Sequence, residues 1–101
     1  MIHEIAEITV LPGHEADFEA AVAEAARHFQ VARGCRSLTL NRSVEAPLTY
    51  RLVVGWDTVE DHMVHFRESE AFQAWRALAG PHFAGPPRVE HVETVLEAFS
   101  Q

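Results

Sequence analysis

The stretch "IHEIAEITVLPGHEADFEAAV", residues 2 to 22, changes its hydrophobic period halfway along. From Ile2 to Leu11 it is rich in β-branched residues and runs into Pro12-Gly13, which predicts a strand ending in a turn. From His14 to Ala32 the apolar positions Phe18, Val22, Ala25 and Phe29 recur at steps of four, three and four. Glu15, Glu19, Glu24 and Arg27 fall between them, the pattern of an amphipathic helix. Gly34 is placed to stop that helix.

Working outward, "CRSLTLNRS" (35–43) reads as a second strand, "APL" as a turn and "TYRLVVGWD" (49–57) as a third strand. In the third strand Tyr50, Leu52, Val54 and Trp56 share one face, and Arg51, Val53, Gly55 and Asp57 the other. Both faces are partly apolar, so the second face is expected to be covered, a second subunit being the simplest cover. Thr58 with Asp61 makes a helix-start signal for a short helix to about Arg67. Ser69 caps a further helix that ends at Gly80 and buries Phe72, Trp75 and Leu78. "GPHFAGPP" is loop, and "RVEHVETVLEAF" (88–99) closes the chain as a last strand. There Val89, His91, Glu93 and Val95 alternate with Glu90, Val92, Thr94 and Leu96.

Strand, helix, strand, strand, helices, strand is the order of the ferredoxin-like βαββαβ motif. The expected fold is therefore α+β: one domain over residues 1–101, with a four-stranded antiparallel sheet and helices on one face. Pairing two such sheets across a two-fold axis hides the opposite face, which makes a homodimer part of the prediction.

The 101 residues, 48% of them hydrophobic, suffice for one core. A net charge of -7, with 15 acidic side chains against 8 basic ones that are all arginine, argues against nucleic acid or an anionic membrane as partner. The single cysteine, Cys35, excludes an internal disulfide, reads as a small apolar residue and fits a reducing compartment, so cytoplasm is the default. The chain opens with no secretory leader, and no apolar run approaches the roughly 18 residues of a membrane span.

"IAEITVLPGHEADFEAAV", "GWDTVEDHMVHFRESEAFQAW" and "PPRVEHVETV" together resemble the antibiotic biosynthesis monooxygenase family of dimeric α+β barrel proteins. The resemblance runs through nearly the whole chain in order. It implies the fold more than the activity, because such a scaffold hosts several chemistries and non-catalytic members as well. Its heme-degrading branch carries a Trp with an iron-binding His further along the chain, and an Asn on the first strand. Here His65 and Trp75 stand in reversed order and the strand position falls near Ala6, which weakens a heme reading. The cofactor-free branch instead implies oxygenation of a phenolic or quinol-like aromatic in a pocket between sheet and helices.

Such a reaction needs a dry aromatic pocket, a base that titrates near working pH and donors for the anion that forms. In "EDHMVHFRES" (60–69), His62 and Phe66 are spaced to share a helical face, with His65 about 60° further round from His62 on an ideal helix. His62 is the leading candidate base, with His65 or His91 assisting; the plainer reading of each is a structural hydrogen bond or solvent exposure. Trp56, Phe66, Phe72 and Trp75 are candidate walls, with ordinary core packing as the alternative for the tryptophans. Arg67 is either an anion-binding group at the pocket mouth or a surface ion pair with Glu68 or Glu70. His3, His14 and His28 read as surface residues. No metal is expected, although His62 and His65 with His82 or His91 supply imidazoles. No cofactor is expected either, and the expected partners are a small aromatic molecule and a second copy of the chain. A non-catalytic module that holds an aromatic metabolite in the same pocket is the alternative function.

Overall fold

In a computed structural model that describes residues 1–101, the period change after Leu11 is realised as strand β1 (Ile2–Thr9) followed by helix α1 (Glu15–Gln30). Strands β2 (Cys35–Arg42) and β3 (Thr49–Trp56) form a hairpin, helix α2 spans Glu70–Ala79, and β4 covers Arg88–Glu93. The strands are ordered β2-β3-β1-β4 and every neighbour pair is antiparallel, as the ferredoxin-like motif requires.

The register places Ala6 opposite Leu52, Ile8 opposite Tyr50 and Ala6 opposite Val89. All but Val89 are buried on the helix-facing side, where Phe18, Val22, Ala25 and Phe29 of α1 meet them. The side chains at steps of four, three and four therefore form the roof of the core, and burial of their apolar surface supplies most of the stabilisation. On the opposite face Ile5 and Val53 are half-buried and Val92 is 42% exposed.

Three predicted elements differ in detail. The last strand ends at Glu93 and not at Phe99; Val95, Leu96 and Phe99 are 89%, 78% and 78% exposed. Alternation alone does not hold a strand, and past Glu93 the register has no partner left on β1, since Ile2 already pairs with Glu93. Gly80 caps α2 in a right-handed conformation, and the chain continues through a 3₁₀ turn, Gly80–His82, where a full stop was expected. The segment Asp61–Phe66 is a π-helical turn: the Arg67 N–H donates to the His62 carbonyl, five residues back, at 3.1 Å.

Thr58 and Ser69 both cap as read, accepting from the Asp61 and Phe72 amides at 3.1 and 3.3 Å. The start of the π turn is held from below as well. Gly34 has φ +75, and the Asp61 carboxylate fills the space a Cβ would need there, while Arg33 Nε lies 3.5 Å from Asp61 Oδ1.

Candidate active site

Antiparallel pairing sets Glu4 of β1 directly beside His91 of β4 and across from Val54 of β3. Glu4 points to the helix side with Ala6 and Ile8, and it is only 5% exposed. The Trp56 indole N–H, from the end of β3, donates to Glu4 Oε1 at 3.0 Å. From above, the π turn lowers His62 onto the same place, with Nε2 3.3 Å from Glu4 Oε1 and Nδ1 2.8 Å from His91 Nε2. The His62 ring lies nearly parallel to the Trp56 indole, at 16° and 5.4 Å between centroids. Glu4, His62 and His91 thus form one continuous polar chain inside an otherwise aromatic layer.

Burial sets the protonation of this chain. The Glu4 carboxyl is pushed up to about 7, chiefly because desolvation disfavours its charge; the Trp56 hydrogen bond and the Arg67 charge oppose the rise. His62 is pushed down to about 4, first by desolvation and then by the charges of His91 and Arg67. At neutral pH the imidazole is therefore uncharged, with one nitrogen able to donate and the other to accept. The carboxyl sits close to its titration midpoint.

Glu4 and His62 open onto a cavity of about 760 Å³ between the sheet and the helices. Its walls are Phe29, Phe66, Phe72, Trp75 and Phe83, with Ile8 and Leu52 as the floor. Gly85, Pro86 and Pro87 close one side, and Arg67 and Arg76 stand at the rim. This is the apolar hollow with few convergent polar groups that small-molecule sites have in common.

The sequence candidates divide accordingly. His62, Phe66, Phe72, Trp75 and Arg67 line the cavity. His91 does not line it and reaches the site through His62. Trp56 is fully buried behind the wall, where it orients Glu4 and backs His62. His65 is exposed and lies outside the cavity. The wider π turn explains this, since it brings Phe66 closer in azimuth to His62 and turns His65 further away than an α-helix would. Arg67 makes no ion pair with Glu68 or Glu70. His14 is not a simple surface residue: it is half-buried, and its Nδ1 lies 3.0 Å from Nδ1 of His82, pinning the cavity loop to the start of α1. His3 and His28 are also half-buried.

Glu4 itself was overlooked in the sequence reading. Its signal was parity: a carboxylate in phase with Ala6, Ile8 and Val10 on the inward face of a strand has to be satisfied or functional. For heme iron the arrangement offers no ready ligand, because His65 lies outside the cavity and both nitrogens of His62 already face polar partners.

Fold and site together define a ferredoxin-like α+β protein with a buried acid and imidazole in an aromatic hollow. Residues 1–78 match the family description antibiotic biosynthesis monooxygenase, and the chain belongs to that family. A Bordetella bronchiseptica protein assigned by name to the same group shares 58% identity and superposes with a TM-score of 0.93, covering 94% of this chain and 97% of that one. The uncharacterised Bacillus subtilis protein YczJ is 35% identical over 95 residues, 94% of this chain and 100% of its own length. SnoaB, a cofactor-independent oxygenase from Streptomyces nogalater, shares the fold alone, at 16% identity and a TM-score of 0.78, over 96% of this chain and 95% of its own.

Proposed function

We propose that the protein is a cofactor-independent monooxygenase acting on a small phenolic or quinol-like aromatic, with Glu4 as the base and His62 and His91 as its proton outlet. The observation that carries this reading is the buried Glu4 carboxyl, titrating near 7 and opening directly into an aromatic cavity. A wholly apolar cavity would have favoured the binding module instead.

The chemistry follows from the parts. Ionised Glu4 takes a proton from the hydroxyl of a quinol or the acidic methylene of an anthrone, leaving an electron-rich ring anion. That anion gives one electron to dioxygen; the radical pair closes into a C–O bond, and a peroxide results. Loss, as a proton, of the hydrogen still held by the peroxide-bearing carbon breaks the O–O bond, so one oxygen atom stays as a carbonyl and the other leaves as water. All four electrons come from the substrate.

His62 is too weak a base to hold a proton at pH 7. It can still pass one, because accepting at one nitrogen while donating from the other returns it to a neutral tautomer. The leading role thus moves from His62 to Glu4. Phe66, Phe72 and Trp75 hold the ring and exclude water, and Trp56 positions the base. His65 takes no part.

The same reading takes the working unit to be a homodimer in the cytoplasm, paired through the sheet face that carries Ile5, Val53 and Val92. The Glu7–Arg51 pair, at 3.5 Å, stands beside that apolar centre and supplies polar groups to its rim. Val53→Arg should convert a dimer to a monomer in light scattering; a wild-type monomer would remove the pairing.

Dioxygen uptake by the purified protein, without added metal or flavin, over a panel of anthrones and quinols tests the reaction. Uptake above the protein-free rate, with one labelled oxygen atom in the product and loss of uptake in Glu4→Gln, is expected. No uptake with any substrate, or full uptake by Glu4→Gln, overturns the reading or its base respectively.

A further inference from the structure

Positive side-chain charge in this protein is carried by eight arginines against fifteen acidic side chains. Four of the arginines pair with a carboxylate. Arg33 lies 3.5 Å from Asp61, Arg36 2.6 Å from Asp57, Arg42 3.9 Å from Glu15 and Arg51 3.5 Å from Glu7. Arg27, Arg67, Arg76 and Arg88 make no such pair, and of these four only Arg67 and Arg76 line the cavity. Glu68 and Glu70 lie between Arg67 and Arg76 in sequence but pair with neither, and both arginines stand at the rim. Each guanidinium carbon instead lies 5.9 Å from the centroid of the Phe72 ring.

Two like charges gathered around one ring repel each other, and the ring face offsets only part of that. Inside the cavity the polarity reverses. Glu4 sits at the inner end, where a second anion would be repelled as the carboxyl ionises. The hollow therefore has a cationic mouth, an aromatic middle and an acidic group at its inner end.

We infer that Arg67 and Arg76 form a carboxylate clamp, and that the preferred ligand is an aromatic acid bound with its carboxylate at the rim and its electron-rich ring directed toward Glu4. A guanidinium fork matches a carboxylate in two parallel hydrogen bonds, which fixes orientation as well as affinity. The ring then packs on Phe72 and Trp75. The inward orientation rests on the oxygenase reading above; the clamp itself does not.

The test compares 2,5-dihydroxybenzoate with hydroquinone, which has the same hydroxylated ring, lacks the carboxylate and is neutral at pH 7.5. Binding is followed anaerobically by tryptophan fluorescence, so that turnover plays no part. The carboxylated ring should bind at least about tenfold more tightly, as expected for charge-assisted hydrogen bonds at a partly desolvated rim. That preference should shrink as salt is raised. In the Arg67→Gln, Arg76→Gln double variant, with an unchanged melting temperature, the ratio should fall to near one. Equal affinities in the wild type, no binding of the acid, or a preference that survives in the double variant each overturns the clamp. Separate dioxygen-uptake runs tell the two readings apart. Tight binding of the acid without uptake leaves the clamp standing and removes the oxygenase, whereas uptake with hydroquinone and no charge preference does the reverse.

Discussion

Two glutamates on the same side of the molecule each accept a hydrogen bond from a buried aromatic side chain, and they come to opposite ends. Trp56 donates to Glu4 at 3.0 Å, and Tyr50 donates to Glu19 at 2.6 Å. Both aromatic residues belong to the inward face of β3 and are fully buried. The difference lies in where the carboxylate sits. The Glu19 side chain is 48% exposed on α1, with Arg42 at 3.9 Å, and Phe18 packs against Tyr50 at 4.9 Å between centroids. Water reaches that carboxylate, and the contact only braces helix to sheet, while burial and Glu19 push the Tyr50 hydroxyl up to about 12. Glu4 lies in the sheet itself, under an imidazole and beside a hollow. The same donor-acceptor pairing thus braces helix to sheet where water reaches the carboxylate, and lies beside a cavity with a raised carboxyl where it does not.

The sharpest way to break this comparison is to neutralise each carboxylate in turn. Glu4→Gln should lower kcat for an oxygenated substrate by about a hundredfold or more, the range for loss of a general base. Glu19→Gln should stay within about twofold in the same oxygen-uptake assay. Equal effects from the two would remove the distinction drawn here.

The pH dependence of stability should sharpen the Glu4 side of the comparison next. Glu4 titrates near 7 instead of 4.5, so between those values the folded protein keeps a proton that the unfolded chain has released, and stability falls as pH rises. His62 titrates near 4 instead of 6.5, so over that window the unfolded chain gains a proton that the folded protein refuses, and stability falls as pH drops. The two slopes oppose each other between 4.5 and 6.5, and the Glu4 slope persists to about 7. Relative to wild type, Glu4→Gln should therefore gain roughly 3 kcal/mol more at pH 8 than at pH 4.5 in urea denaturation.

Gly34→Ala strains a left-handed residue and drives a methyl group into Asp61, beneath the turn that carries His62. A loss of about 1–3 kcal/mol is expected, again by denaturation. Tyr50→Phe, on the structural side of the comparison, should cost about 1 kcal/mol and leave the pH profile of turnover unmoved.

The clearest part of the fold in the sequence was the change of period at Pro12-Gly13, because a strand and an amphipathic helix impose different spacings on the same apolar residues. The caps at Thr58 and Ser69 were equally local and equally legible. Of the site, His62 and the aromatic walls could be read from helical spacing, since Phe66, Phe72 and Trp75 had to face inward. The end of β4 could not be read, because alternation continues past Glu93 whereas its pairing partner does not.

By itself, then, the sequence determined the order of elements, the apolar inward residues of the helices and of β3, and an acidic composition without lysine. Only the tertiary structure decided which polar residues share the hollow. Glu4, His62 and His91 are 58 and 29 positions apart in the chain, and strand register together with a π turn brings them to within 3.3 Å and 2.8 Å of one another in succession. Titration near neutrality also belongs to that level, because it arises from the loss of water around the carboxyl once sheet and helices close over it, and no local spacing encodes this.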